Sequence, residues 1–103
     1  MVSIEPVIEI EAGSAGDSRA EEIYRNLQVL YGTVTGEQAL DRDFGIDVGI
    51  ADYPSQNAQA LLAAEYVRKT QQYEPRARVK IVTWEENNSP DGFIRPKVVV
   101  EIV

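Results

Sequence analysis

Cysteine and histidine are both absent from this 103-residue chain. Without cysteine there is no disulfide framework and no thiolate nucleophile. Without histidine the commonest general base and metal ligand is missing. Long apolar runs are missing too: nothing approaches the roughly 18 residues that mark a membrane span. The first residues, Met1-Val2-Ser3-Ile4-Glu5-Pro6, carry neither the basic nor the apolar part of a secretory signal, so the expected setting is cytoplasmic. Positive charge is scarce. Ten Lys and Arg stand against 17 Asp and Glu, for a net charge of −7. Binding a phosphate backbone requires clustered cations, so nucleic acid is not an expected partner.

What is present fits one globular domain over residues 1–103, with ordinary hydrophobic (44%) and charged (26%) fractions. A domain this size buries roughly two-thirds of its unfolded surface, enough for one modest core but little room for a deep active site.

Val2 to Glu11 alternates as a strand does, with Pro6 breaking it or confining it to a sheet edge. This strand and the loop to Gly16 make up an N-terminal segment over 1–17. Asp17 or Ser18 caps a helix over Ser18–Leu30, and Ser18-Arg19-Ala20-Glu21 matches a capping box. Gly32 reads as its stop. Thr33 to Ile50 is irregular and extended, with Phe44, Ile46, Val48 and Ile50 tucked under the helices. Tyr53-Pro54-Ser55 opens a second helix. Ala58, Leu62, Tyr66, Thr70 and Tyr73 share its apolar face, while Glu65, Arg68, Lys69 and Gln72 fall opposite. Leu61 projects among the polar residues. Pro75 ends the helix near Tyr73, because it disfavours the helical region for Glu74 and has no N–H to give. Glu74 and Arg76 then flank a stiff corner and form a local ion pair, worth about 0–1 kcal/mol if exposed.

Ala77–Trp84 and Lys97–Val103 read as strands joined through a turn-rich connection, hence an antiparallel hairpin. The fold expected is α+β, two helices packed on a small antiparallel sheet in the order β-α-(irregular β)-α-β-β. The last strand is apolar on both faces, so it reads as an open edge able to accept strands from another chain. Arg76, Arg78, Lys80, Arg95 and Lys97 fall on the hairpin and its corner. They form either a solvated face or a basic strip for an acidic protein.

Catalytic patterns are thin. Asp43-Phe44-Gly45 matches the magnesium-binding triplet of kinases, but no Gly-rich loop or His-Arg-Asp accompanies it. Seventeen carboxylates make chance pairs at glycosidase spacing easy. No apolar pocket is evident to raise one pKa, so a small lysozyme-like hydrolase is the alternative reading and a non-enzyme the preferred one. Asp41, Asp43, Asp47 and Asp52 do not follow calcium-loop spacing, and no metal or cofactor is expected.

Several stretches together are similar to the gpW/gene 25-like family, baseplate wedge proteins of contractile phage tails and related injection systems. They are Leu27-x-x-Leu30, Gly36-Glu37, Arg42-Asp43-Phe44-Gly45, a Pro-initiated helix, and Tyr73-Glu74-Pro75-Arg76 before a strand. The resemblance covers residues 18–103. One departure is Gln38, where many members carry Arg after Gly-Glu. The resemblance implies a structural protein that joins the baseplate wedge, near tail tube or hub proteins, and initiates the sheath. It implies that Glu74, Pro75 and Arg76 hold the wedge's helical core bundle. Gly36, Glu37, Arg42, Asp43, Phe44 and Gly45 form the rest of the motif. Sheath subunits would dock on the C-terminal hairpin, through Val79, Ile81, Val98, Val99, Val100, Glu101, Ile102 and Val103. The setting implied is the cytoplasm during assembly and the tail baseplate afterwards. The equivalent subunit of a type VI secretion baseplate is a further alternative.

Overall fold

The computed structural model describes residues 3–36, 39–47, 49, 55–84 and 93–103. Strands β1 (Ser3–Ile4) and β2 (Val7–Ile10) form one extended run interrupted at Glu5-Pro6, as the proline requires. A single 3-10 turn, Ala12–Ser14, leads towards helix α1 (Ala20–Gly32). An irregular segment follows, tied by an isolated bridge between Val34 and Ile46. Helix α2 (Ser55–Tyr73) leads through the corner into β3 (Ala77–Trp84), then β4 (Phe93–Ile94) and β5 (Pro96–Ile102). The class is α+β, with two helices and a small three-stranded sheet.

The sheet corrects two expectations. Its order is β2-β5-β3, with β3 antiparallel to β5 and β2 parallel to it, so it is mixed rather than antiparallel. The N-terminal pair β1 and β4 is parallel as well. The last strand therefore lies in the centre, paired on both sides, and is not an open edge. The unbroken run Val98-Val99-Val100 is the physical reason: a strand apolar on both faces gains most from an interior position. The outer edges belong to β2 and β3. Neither has a further strand against it among the described residues.

A bulge at Lys80 sets which side chains of β3 face the core. Val79 stands opposite Val100 and Ile81 opposite Val99, so Lys80 is the extra residue. Ala77 and Val79 face inward before it, Val82 and Trp84 after it, and Ile81 turns outward. The core lies between sheet and helices: Ile23, Leu27, Leu30 and Tyr31 of α1, Leu62 and Tyr66 of α2, Ile46, Ala77, and Val98 and Val100 of β5. Tyr31 and Tyr66 meet edge-to-face at 4.8 Å, and the Tyr31 hydroxyl lies 2.6 Å from Thr70 Oγ1.

At the start of α1 the Asp17 carboxylate accepts the Arg19 N–H at 2.8 Å and pairs with the Arg19 guanidinium. The N-cap position falls on Arg19, which makes no side-chain capping bond, so neither Asp17 nor Ser18 caps the helix. Gly32 is the last helical residue and does not adopt the left-handed conformation of a glycine stop. In α2, Ala58, Leu62, Tyr66 and Thr70 are buried as expected and Leu61 is exposed. Val48, Ile50, Asp52, Pro54 and the Glu85–Gly92 connection, like Glu37 and Gln38, lie outside the described residues. No described helix is long and apolar enough to cross a membrane.

Candidate functional site

The polar face of α2 is the principal departure from the amphipathic expectation. Glu65 is buried and Lys69 has no exposed surface at all. Glu65, Lys69 and Tyr73 recur four residues apart and so form one stripe along the helix. The irregular segment lies on this stripe and is bound to it at three levels. Glu65 Oε2 accepts the Asp47 N–H at 3.0 Å, while its other oxygen takes Arg68 at 2.6 Å. The Lys69 ammonium donates to the Asp43 carboxylate at 3.0 Å and to the Asp43 carbonyl. The Tyr73 hydroxyl donates to Asp41 at 3.0 Å, and the Tyr73 ring meets Phe44 edge-to-face at 5.0 Å. Lys69, followed by Gln72, holds the Asp43 carboxyl below the usual carboxylate range.

Gly45 makes this approach possible. Its φ of +108° is one that side-chain-bearing residues rarely adopt, and a Cβ there would run into the Thr33 carbonyl oxygen. Beside it, the Ile46 N–H donates to that same Thr33 carbonyl at 2.8 Å. Gly36 also has positive φ, and its N–H donates to the Arg42 carbonyl at 2.9 Å, closing the loop between them. Arg42 itself is exposed.

Immediately after Tyr73 lies the corner. The expected ion pair is present and is not an exposed one: the Glu74 side chain is 5% exposed. Arg76 grips it with two parallel bonds, Nε to Oε1 at 2.8 Å and Nη2 to Oε2 at 2.9 Å. Asn26 of α1 donates to Glu74 Oε2 at 2.9 Å, and Glu22 of α1 lies 3.5 Å from Arg76 Nη1. Arg76 foremost, with Asn26, holds the Glu74 carboxyl below its usual range although burial opposes this. The corner thus ties the α2–β3 junction to α1. Pro75 is exposed at its tip.

The two motif stretches, distant in sequence, therefore converge on the C-terminal end of α2. The hairpin residues do not converge in the same way. Val98 and Val100 are fully buried, and Val79 and Ile102 pack against the core, which removes these four side chains from the expected docking face. Ile81 and Val103 are exposed. The basic strip is neutralised: Arg78 pairs with Glu101, Lys80 with Glu11 at 2.7 Å, Lys97 with Glu9 at 3.1 Å and Arg95 with Glu5 at 3.2 Å. An acidic partner would meet ion pairs here, not free cations.

Two of the site's carboxylates, Glu74 and Asp43, are held in their charged form by a neighbouring cation. A general acid requires a raised pKa, and the buried Glu74 is lowered by its arginine. Among the described residues no three metal-ligating side chains gather at one point. Sequence reasoning missed Glu65, Lys69, Asn26 and Asp41 as parts of the site. The signal available was the four-residue spacing of Glu65, Lys69 and Tyr73 beside a loop with few apolar residues to cover it. Comparison with protein-family models, with curated proteins and with solved structures finds no match to this chain.

Proposed function

We propose that this chain is a structural assembly protein of a contractile tail baseplate, one that joins the wedge and starts sheath polymerisation. The observation that supports this reading is the convergence at the end of α2. Arg42-Asp43-Phe44-Gly45 and Tyr73-Glu74-Pro75-Arg76 form one rigid corner through Asp43–Lys69, Phe44–Tyr73 and Glu74–Arg76. A corner fixed from three sides can present Pro75 and the outer edge of Arg76 to a wedge subunit without further ordering, which favours affinity.

The sheath side of the proposal moves with the topology. Strand addition needs unpaired main-chain groups, and β5 has none to offer because both its edges are taken. The first sheath strand would instead meet the outer edge of β3, where Ile81 is exposed. The test is assembly without the chain: particles lacking it should carry bare tubes. Sheath of normal length and order on such particles would sink the proposal.

A further inference from the structure

One side chain stands out among the described residues. Leu40 is fully exposed, at 102% of its reference area, whereas the other exposed large apolar residues among those described lie between 38% and 57%. A single half-covered leucine needs no explanation. Leu40 is neither half-covered nor on loose chain. The residue after it, Asp41, accepts the Tyr73 hydroxyl at 3.0 Å and the Asp43 N–H at 3.2 Å through its carboxylate. The Asp41 carbonyl accepts the Phe44 N–H at 3.2 Å, and the Arg42 carbonyl accepts the Gly36 N–H at 2.9 Å. The leucine is thus mounted on a segment already fixed to α2, so burying it elsewhere would cost little ordering.

Charge indicates what would cover it. Residues 37–52 hold five acids against one base, Arg42, and residues 85–91 hold three acids and no base. The remaining chain has nine of each, so the whole net charge of −7 falls in these two connections. Elsewhere the acids are paired within the chain, as on the sheet. Asp41 and Asp47 are exposed, and among the described residues neither has a cation at ion-pair distance. Their carboxylates take the Tyr73 hydroxyl and the Gly49 N–H instead.

We propose that Leu40 is a docking knob for another protein. It enters an apolar pocket rimmed by Lys and Arg, and the adjacent Asp41 meets that rim. Apolar burial would supply most of the affinity, and the acidic flank would supply orientation and a faster, salt-sensitive encounter. This inference stands apart from the assembly reading, because it uses only the exposure, support and charge of this loop.

The experiment places a benzophenone amino acid at position 40 of the full chain, in the cells that make it. A second version carries the same group at position 28, where Gln28 is exposed on α1. After irradiation, the crosslinked segment is identified by mass spectrometry. The expected result is one partner segment from position 40, apolar with flanking Lys or Arg, and no comparable product from position 28. The identified partner is then purified and titrated with the wild-type chain and with Leu40→Asp, whose melting curve should match wild type. Binding should weaken about 10- to 100-fold, the scale of losing one buried leucine. Crosslinking from position 40 no stronger than from position 28 would overturn the inference. So would a captured segment without basic residues, or Leu40→Asp binding within about threefold of wild type. A partner that is not a baseplate component would leave this inference intact and count against the assembly proposal. Absence of crosslinking would end this inference and leave the assembly proposal to its own sheath test.

Discussion

The same residue types are used in opposite ways on the two sides of this molecule. On the sheet and at its ends, Lys80, Lys97, Arg78 and Arg95 pair with glutamates in solvent-accessible positions. Along α2 and just past its end, Lys69, Glu65 and Glu74 are buried and bond to loop and corner. Exposed pairs contribute about 0–1 kcal/mol, because water solvates the separated ions almost as well. A buried ion stripped of its partner has no such recourse, and breaking a buried pair costs about 3–5 kcal/mol. The sheet's charges therefore add little to stability, while those of α2 hold the irregular segment in place.

That contrast can be broken most directly at Gly45. Gly45→Ala places a Cβ against the Thr33 carbonyl and forces an unfavourable φ, so the loop must lift from α2. A loss of about 3 kcal/mol or more is expected, read as a shift in the urea midpoint. An unchanged midpoint would mean that the loop is not held as described.

Lys69→Met comes next. It keeps the length of the side chain while removing the donor to Asp43, and a loss of about 2–3 kcal/mol is expected. Asp43 is itself half-exposed and can be resolvated, which places this below the cost of a fully enclosed pair. Equal stability of Lys69→Met and wild type would erase the distinction between the two regions.

Acid sharpens the same point without mutation. Glu74 and Asp43 are held below their usual ranges by Arg76 and Lys69, and Asp17 by Arg19, down to about 2. A carboxylate with a depressed folded pKa contributes stability that is present above its unfolded value and lost as pH falls through the folded value. Stability should be flat between about pH 5 and 9 and fall progressively below about pH 4. Denaturant titrations from pH 7 to 2.5 measure this, and in Glu74→Gln the acid-dependent fall should shrink. A fall of the same size in that variant would remove Glu74 from the account.

The smallest effect belongs to the sheet. A double-mutant cycle on Lys97→Ala and Glu9→Ala should return a coupling below about 1 kcal/mol that fades in high salt. A coupling as large as the Lys69 effect would show that the sheet's pairs are structural after all.

Much of the fold was legible in residues. The 3.6-residue spacing of Ile23, Leu27 and Leu30, the stop imposed by Pro75, and the apolar runs on either side of the last connection gave the two helices and the hairpin. The candidate site was half legible. Its motif residues could be named, but Glu65 and Lys69 were assigned to solvent because helical periodicity describes one element at a time. It does not show that a loop made of Asp, Gly and a few apolar residues will settle on the polar side.

What the sequence determined by itself was local: which segments are helix or strand, where the chain must turn, and that Glu74 and Arg76 sit within reach of each other. Those outcomes depend on φ preferences and on side-chain spacing within a few residues. Only the tertiary structure decided that β5 is central, that Lys80 is bulged, that Lys69 is enclosed and that Leu40 stands clear. Each of these depends on contacts between residues far apart in the chain. Their free energies come from shared burial, and that is not a property of any one segment.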